Sequence, residues 1–221
     1  MSPIRSIPPR IRRTPDHVRD SSLIIIATEG EKTEKQYFEG IKSLFKSKKV
    51  NILILPNIDH QSSPEQVMEV IDKFLDDFKL EVDDQCWLII DLDRWKTETL
   101  SNVAGLCLQK NISFAVSNPC FEFWLLLHVA YINDYSNEQK KLMLVNRKVG
   151  TNRTWLNREL VRRLGSYNKS NLQFSYFSSG INQAITQAEN LDVNPEHRWP
   201  NELGSRVYRL VKIIMSYSSN G

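Results

Sequence analysis

The stretch LIIIATEGEKTEKQYF, residues 23–38, decides the fold. A nearly continuous apolar run leads directly into Glu29 and Gly30, and a charged segment with helical spacing follows. This order predicts a buried strand, a tight turn and a helix. The turn does not match a nucleotide-binding P-loop, because Glu31 separates Gly30 from Lys32 and no glycine lies upstream. A carboxylate therefore ends the strand, and it needs a partner other than a phosphate.

Further apolar runs alternate with helical segments along the first half of the chain. The runs are VNILILP, QCWLIID and ISFAVS. Ser63, Pro64 and Gln66 have the pattern of a capped helix start, and Thr33 with Gln36 is expected to form a similar capping box. Together these signals predict an α/β, Rossmann-like core with a parallel four-stranded sheet flanked by helices.

Beyond Asn118 the sequence predicts helices and no further strand. FEFWLLLHV is strongly apolar, and TWLNRELVRRLG carries leucines at helical spacing before a glycine that can end the helix. We therefore expect three regions: a basic, proline- and arginine-rich arm at 1–20, an α/β core at 21–130, and a helical region at 131–221 packed on the core.

Composition sets broad limits on the function. The chain has 221 residues, 41% of them hydrophobic, and a net charge of +3, a surplus too small to indicate nucleic-acid binding by itself. Cys86, Cys107 and Cys120 lie in apolar surroundings without metal-ligand spacing, and we expect them to be reduced core residues. No segment has the pattern of a membrane span or a signal peptide, so the expected location is the cytoplasm and no membrane partner is expected.

Three acids are predicted to meet at one edge of the sheet. Asp91 and Asp93 end the third strand two residues apart, so an extended backbone directs both to one side. In the common strand order 2-1-3-4, the first and third strands are neighbours, and Glu29 ends the first. Converging carboxylates suit a hard divalent cation, Mg²⁺ or Mn²⁺. The alternative is that each acid caps a separate turn or helix.

Two interpretations stay open for Glu122, which lies within the apolar segment SNPCFEFWLLLHV. With Asn118 it is expected to face the same crevice and to form a second ion site or orient a substrate; alternatively it pairs with an arginine such as Arg147. Lys32 is either a phosphate contact or an exposed helix lysine. His128 is expected to be a packed histidine at the end of a helix.

The helical region carries basic residues interleaved with aromatic ones, a composition that suits a partly unpaired nucleic acid. Arg158 and Arg162 are four residues apart and share a helix face. The predicted nucleic-acid contacts are Arg153, Arg158, Arg162 and Lys169. The alternative is a solvated basic face. The arm at 1–20 is a further candidate for phosphate contact.

Several motifs resemble those of a known family. ATEGEKTEKQYF, LIIDLDRW and SNPCFEFWLLLHV, with GSYNKS and WPNELGSRVYRLV, resemble the RloB family, which is associated with bacterial anti-phage and abortive-infection loci. Glu-Gly after a first strand and Asp-x-Asp after a third are similar to the Toprim domain of topoisomerases, bacterial primases and related nucleases. The resemblance implies a Toprim-like fold, with Glu29, Asp91 and Asp93 matched to the Toprim acids. Arg94 and Trp95 depart from that pattern, since Toprim enzymes often carry a small residue there.

The resemblance implies a Mg²⁺- or Mn²⁺-dependent nuclease that cleaves RNA, including tRNA, or DNA. It would act in anti-phage defence with an ABC- or AAA-type ATPase encoded nearby, and homodimer formation is left open. The predicted catalytic residues are Glu29, Asp91, Asp93, Glu122 and Lys32. The alternative function is a catalytically inert, Toprim-like nucleic-acid-binding or scaffold subunit of an ATPase defence complex.

Overall fold

The structure, a computed structural model, describes residues 21–56, 63–149 and 153–218. The predicted basic arm at 1–20 lies outside the described residues. The N-terminal half alternates strands and helices, as the apolar runs predict. Its elements are β1 (Ser22–Thr28), α1 (Thr33–Leu44), β2 (Val50–Ile54), α2 (Pro64–Asp77), β3 (Gln85–Asp91), α3 (Thr97–Gln109) and β4 (Ser113–Asn118).

The C-terminal half is mainly helical. It contains α4 (Phe121–Val129), α5 (Asn137–Val145), β5 (Lys148–Val149), β6 (Arg153–Thr154), α6 (Trp155–Leu164), α7 (Ser175–Ser178), α8 (Ile181–Leu191), β7 (Gly204–Ser205) and α9 (Val207–Ser218), with a 3₁₀ turn at Ile132–Asp134. The expectation that strands stop at Asn118 is therefore wrong. Strands of two residues are too short to give a periodic apolar signal.

The central sheet has the strand order β2-β1-β3-β4-β7. The first four strands are parallel, but β7 pairs antiparallel with β4, with Ser117 opposite Ser205 and Asn118 opposite Gly204. The sheet is thus mixed and five-stranded, which corrects the prediction of a parallel four-stranded sheet. The short β7 covers the part of β4 nearest the candidate site, where an unpaired edge would otherwise leave backbone groups exposed.

Both faces of the sheet are covered by helices, as the continuous apolar strands predict. Ile24 and Ile26 of β1 lie in an apolar cluster that includes residues of α1, α4, α6, α8 and α9. Ile25 and Ala27 lie in a second cluster with residues of α2 and α3. The first cluster extends across position 130, so the core and the helical region share one apolar interior. The boundary at 130 stays a prediction.

Helix α4 lies inside this shared interior. Its residues from Phe121 to His128 are all buried, including Glu122. Although α4 is apolar on nearly every side, it has only nine residues. No helix in the described ranges is both long enough and apolar enough to cross a membrane. The burial of α4 fixes its first turn, which carries Glu122, against the end of the sheet.

Candidate metal centre

The carboxyl ends of β1 and β3 lie side by side, as the strand order predicts. Thr28 pairs with Ile89, and the Glu29 N–H donates to the Ile89 carbonyl oxygen at 3.1 Å. A cavity of about 320 Å³ opens at this edge of the sheet. We call it the acid cavity; it is lined by Glu29, Gly30, Glu31, Lys32, Thr33, Glu34, Asp91, Arg94, Glu122, Lys169 and Ser170.

Glu29 is buried at the base of this cavity and is held by three donors. Its carboxylate accepts hydrogen bonds from the Asp91 N–H at 3.1 Å and from Trp95 Nε1 and Arg94 Nη1 at 3.0 Å each. Burial raises the pKa of Glu29, and the bonds from Trp95 and Asp91 and the charge of Arg94 reduce that rise. Arg94 and Trp95, which depart from the Toprim pattern, therefore orient the glutamate.

Asp91 joins the sheet to α4. Its carboxylate accepts a hydrogen bond from the Phe121 N–H at 2.8 Å, at the N-terminus of α4, where the helix dipole favours negative charge. Burial, followed by the charges of Glu34, Glu29 and Glu122, raises the pKa of Asp91 well above its usual range. Ionisation of all these desolvated acids together is therefore costly, and a bound cation would lower that cost.

The structure brings together a different trio from the predicted one. Among the described residues, the group with three potential ligand atoms within 4.8 Å of one another is Asp91, Cys120 and Glu122. Glu29 lies beside this group. Asp93 is exposed, and its N–H donates to the Pro119 carbonyl oxygen at 3.0 Å. Burial still raises the pKa of Asp93, and an Asn146 hydrogen bond and nearby cations oppose the rise.

Glu122 has a cationic partner from the helical region. The Lys169 ammonium group contacts the Glu122 carboxylate, and the Tyr167 hydroxyl donates to the same carboxylate at 3.4 Å. The partner is thus a lysine rather than an arginine such as Arg147. The Lys169 side chain is 52% exposed, so this predicted nucleic-acid contact lies at the mouth of the acid cavity. Lys32, also exposed, lines the same cavity.

Two side chains of α1 hold the segment that carries Lys169. Thr33 Oγ1 donates to the Lys169 carbonyl oxygen at 2.9 Å, and Gln36 Oε1 accepts from the Leu172 N–H at 2.7 Å. The expected capping box of Thr33 and Gln36 is therefore wrong, and no side chain caps α1. In contrast, the box formed by Ser63 and Gln66 is confirmed. Both pairs of side chains have the chemistry of a cap, but Thr33 and Gln36 form hydrogen bonds with a distant segment of the chain instead.

Glu34, which also lines the acid cavity, is not among the residues predicted from the sequence. Glu34 is 7% exposed, and its pKa is raised to about 7 by burial and by the charges of Glu122 and Glu29. Its carboxylate packs against Gly30, where a Cβ atom would lie 1.8 Å from Glu34 Oε2. A side chain at this position would therefore displace the Glu34 carboxylate from its present place. One sequence signal could have indicated Glu34 as a site residue: it lies in the first turn of the helix that follows Glu29.

Cys120 is the second site residue that the sequence did not reveal. All three cysteines are free and buried, which confirms that part of the prediction. Burial and then the charge of Glu122 raise the pKa of the Cys120 thiol well above its usual range, and Asn146 Nδ2 donates to its sulfur at 3.3 Å. The thiol is therefore neutral in the metal-free protein.

Two other predicted residues lie away from the acid cavity. Asn118 Nδ2 donates to the Pro200 carbonyl oxygen at 3.0 Å, so the expectation that it faces the crevice is wrong. His128 is a packed histidine, as predicted. Its Nε2 lies 3.0 Å from the Tyr37 hydroxyl and its Nδ1 lies 2.9 Å from the Trp124 carbonyl oxygen. Burial lowers the pKa of His128 to about 4.

The predicted arginine contacts differ in their surroundings. Arg153 and Arg158 are exposed. Arg162 is engaged with the buried Glu159, through Nε to Oε2 at 2.7 Å and Nη2 to Oε1 at 2.5 Å. Burial opposes ionisation of Glu159, but bonds from Arg162, Tyr135 and Arg163 lower its pKa to about 2. Arg162 therefore has a structural partner, whereas Arg158 presents its charge to solvent.

Comparison with known proteins identifies the family to which the chain belongs. The model of the RloB-like protein family matches residues 24–214, which is most of the chain. No curated protein and no solved structure matches the chain. The match includes every acid of the cavity and Lys169. The chain is thus a member of the RloB-like protein family.

Proposed function

We propose that the chain is a Mg²⁺- or Mn²⁺-dependent nuclease with a Toprim-like core that hydrolyses phosphodiester bonds in RNA or DNA. The observation that carries this proposal is the convergence of Asp91 and Glu122 from two elements at the switch point of the sheet. Glu29 and Glu34 line the same cavity. Four acids in one desolvated site are costly unless they serve a cation or a reaction.

The donor set fits a hard divalent ion. Asp91 and Glu122 offer carboxylate oxygens, the ligands that Mg²⁺ and Mn²⁺ prefer. Cys120 is a poor ligand for such ions, because its thiol is neutral and sulfur prefers softer metals. Glu29 adds a carboxylate beside the pair, whereas Asp93 is exposed and does not line the acid cavity. Asp91, Glu122 and Glu29 would hold the ion directly or through water.

In the proposed reaction, the residues of the acid cavity have different roles. A divalent ion held by these residues would neutralise charge at the phosphate and lower the pKa of a bound water. Glu29, fixed by Arg94 and Trp95, keeps a carboxylate oriented toward Asp91. Glu34, with a pKa of about 7, is suited to accept a proton from the attacking water and release it near neutral pH. Lys32 and Lys169 line the cavity and offer positive charge to a phosphate.

The biological role rests on family membership. Members of this family are associated with anti-phage and abortive-infection loci, so we infer that the nuclease is a defence effector. The inferred partner is an ABC- or AAA-type ATPase encoded nearby. The substrate is RNA, including tRNA, or DNA.

One observation favours a second candidate, a catalytically inert scaffold subunit. Arg94 contacts Glu29 at 3.0 Å and Lys169 contacts Glu122, so two acids already have cationic partners, as they would in a structural network. In this alternative the chain binds nucleic acid or the ATPase without cleaving a substrate.

Cleavage assays distinguish the two functions. The purified chain, with and without the ATPase, is incubated with tRNA, single-stranded RNA, single-stranded DNA and duplex DNA in Mg²⁺, Mn²⁺ or EDTA. We expect cleavage that needs the divalent ion and disappears in Asp91→Asn and Glu122→Gln. The matched control is Glu39→Gln, which changes an exposed glutamate of α1 outside the cavity.

Metal binding is measured separately by thermal unfolding. Mn²⁺ should raise the Tm of the native chain and of Glu39→Gln, but not that of Asp91→Asn/Glu122→Gln. A chain that shows no cleavage and no metal-dependent shift, yet still binds the ATPase, would establish the scaffold function instead.

A further inference from the structure

A second cavity of about 310 Å³ adjoins the acid cavity. The 165–173 segment contributes to both. Lys169 and Ser170 line the acid cavity, whereas Tyr167, Asn171 and Gln173 line the second cavity. The two cavities therefore share a wall, and a ligand that fills one lies within reach of the other.

The second cavity has a different chemistry from the acid cavity. Arg153, Tyr176 and Phe177 also line it, and its lining includes no carboxylate. The side chains of Arg153, Asn171 and Gln173 form no hydrogen bond with another residue in the described ranges. Since Phe177 is fully buried, the exposed ring that a ligand can reach is that of Tyr176, and it lies among amide and guanidinium groups that remain available to a ligand.

Tyr167 connects the two cavities. Tyr167 lines the second cavity, and its hydroxyl donates to the carboxylate of Glu122, a residue of the acid cavity, at 3.4 Å. One tyrosine side chain therefore lies between the Glu122 carboxylate and the second cavity. In a nucleotide, one sugar separates the base from its phosphate in the same way.

We propose that the second cavity binds one unpaired nucleobase of the strand whose phosphate occupies the acid cavity. This proposal rests on the proposed nuclease function and specifies its substrate class as unpaired nucleic acid. Bases that leave a stack bind on aromatic side chains and pair their edges with amide or guanidinium groups. The absence of carboxylates from the lining suits a ligand attached to a phosphate chain. A base within an intact duplex is stacked and cannot enter such a pocket.

The test measures binding without cleavage. Affinity of the native chain for a short fluorescein-labelled single strand is measured by fluorescence anisotropy in EDTA. Because loss of one aromatic stacking partner weakens binding by about tenfold, Tyr176→Ala should show a loss of that size. Tyr176 is 44% exposed, so its replacement should leave folding intact, which thermal unfolding verifies. The matched control is Tyr131→Ala, since Tyr131 is 59% exposed and lies outside the cavity lining.

A second arm locates the base. Single abasic positions are placed along the labelled strand, and each strand is titrated with the native chain and with Tyr176→Ala. At one position of the strand, the loss of binding free energy caused by the abasic site and that caused by Tyr176→Ala should not be additive, because both changes remove the same contact. Affinity for a duplex of the same sequence should be unchanged in Tyr176→Ala.

Either of two results would overturn the proposal: native affinity in Tyr176→Ala, or losses that add at every abasic position. If Tyr176→Ala keeps its oligonucleotide affinity but loses association with the ATPase, the cavity binds a peptide instead. Failure of the nuclease function gives a different pattern. In that case no substrate is cleaved in Mg²⁺ or Mn²⁺, while the coupling between Tyr176 and one abasic position persists.

Discussion

The ammonium group of Lys169 contacts the carboxylate of Glu122, which α4 buries at the edge of the sheet. The Lys169 backbone is held in turn by Thr33 of α1. The acid cavity therefore contains a cation that belongs to the chain itself. A divalent ion that binds Asp91 and Glu122 must compete with this lysine.

Removal of the Lys169 ammonium group should strengthen metal binding. We expect Lys169→Met to bind Mn²⁺ more tightly than the native chain, because Glu122 loses its competing partner. Without metal the same variant should have a lower Tm, since repulsion among Asp91, Glu34 and Glu122 is then less compensated. Lys169→Arg, which keeps the charge, is the control. Thermal unfolding across a Mn²⁺ titration measures both effects, and equal Mn²⁺ affinity in the native chain and Lys169→Met would contradict the competition.

Glu34 should make folding stability depend on pH. Its pKa is raised from 4.5 to about 7 in the folded chain, so the folded state keeps a proton that the unfolded state has lost between these values. Stability from this group is thus fully present below pH 4.5 and is lost as the pH rises through about 7. The shift corresponds to on the order of 3 kcal/mol.

Comparison with Glu34→Gln isolates this contribution. His128 acts in the opposite direction, because its pKa falls from 6.5 to about 4 and its burial costs stability as the pH falls. The free energy of unfolding is therefore measured for both proteins at each pH in EDTA, and the difference is plotted. The native chain should lose stability relative to Glu34→Gln as the pH rises. Gly30→Ala, which displaces the Glu34 carboxylate, should also reduce the pH dependence.

Two glycine-to-alanine changes should have opposite effects. At Gly180 a Cβ atom would lie 2.0 Å from the His128 carbonyl oxygen, so Gly180→Ala forces α8 away from α4. We expect a loss of about 1–3 kcal/mol. At Gly105, within α3, a Cβ atom meets no atom within 4 Å. Gly105→Ala should gain about 0.5–1 kcal/mol from reduced backbone entropy. Urea unfolding measures both, and a neutral Gly180→Ala would contradict the close helix contact.

Substitutions of Arg158 and Arg162 should have different effects, one on nucleic-acid binding and the other on folding stability. Arg162→Gln removes two charge-assisted bonds to the buried Glu159, and should cost about 1 kcal/mol of folding free energy, since Arg163 and Tyr135 still contact that carboxylate. Arg158→Gln should change stability by less than about 0.5 kcal/mol. If Arg158 contacts a phosphate, this change should reduce the log–log salt slope of nucleic-acid binding by about one.

Urea unfolding and anisotropy titrations at several salt concentrations test both statements. An unchanged slope in Arg158→Gln would identify a solvated basic face. A neutral Arg162→Gln would show that Glu159 needs only its other partners.

Local sequence was sufficient for the four long strands, and the common order of such strands gave their arrangement and the edge where the acids meet. The apolar runs of β1 and β3 gave the buried parallel sheet, and the residues after them, Glu29 and Asp91, follow directly from strand direction. Ser63 was predictable as a cap because its partner lies in the same turn.

Long-range partners were not predictable in this way. Thr33 and Gln36 have the chemistry of a cap but bind the 165–173 segment. Nothing local in the sequence pairs Lys169 with Glu122, because that contact depends on how α6 packs on α4. The two residues of β7 gave no periodic signal, and Cys120 had no ligand spacing. The predicted acids therefore lie at the edge of the sheet where the acid cavity opens, but the prediction did not include Glu34 or Cys120.

The burial of α4 has a consequence for synthesis on the ribosome. A nascent chain that has emerged only as far as Ala130 contains the long strands and the acids, but not the helices that cover α4. It also lacks β7, the neighbour of β4, and Lys169, the partner of Glu122. The apolar interior closes only when Leu210 and Ile214 of α9 have left the exit tunnel. The acid cavity is therefore assembled late, after release of most of the chain, rather than as an early unit on the ribosome.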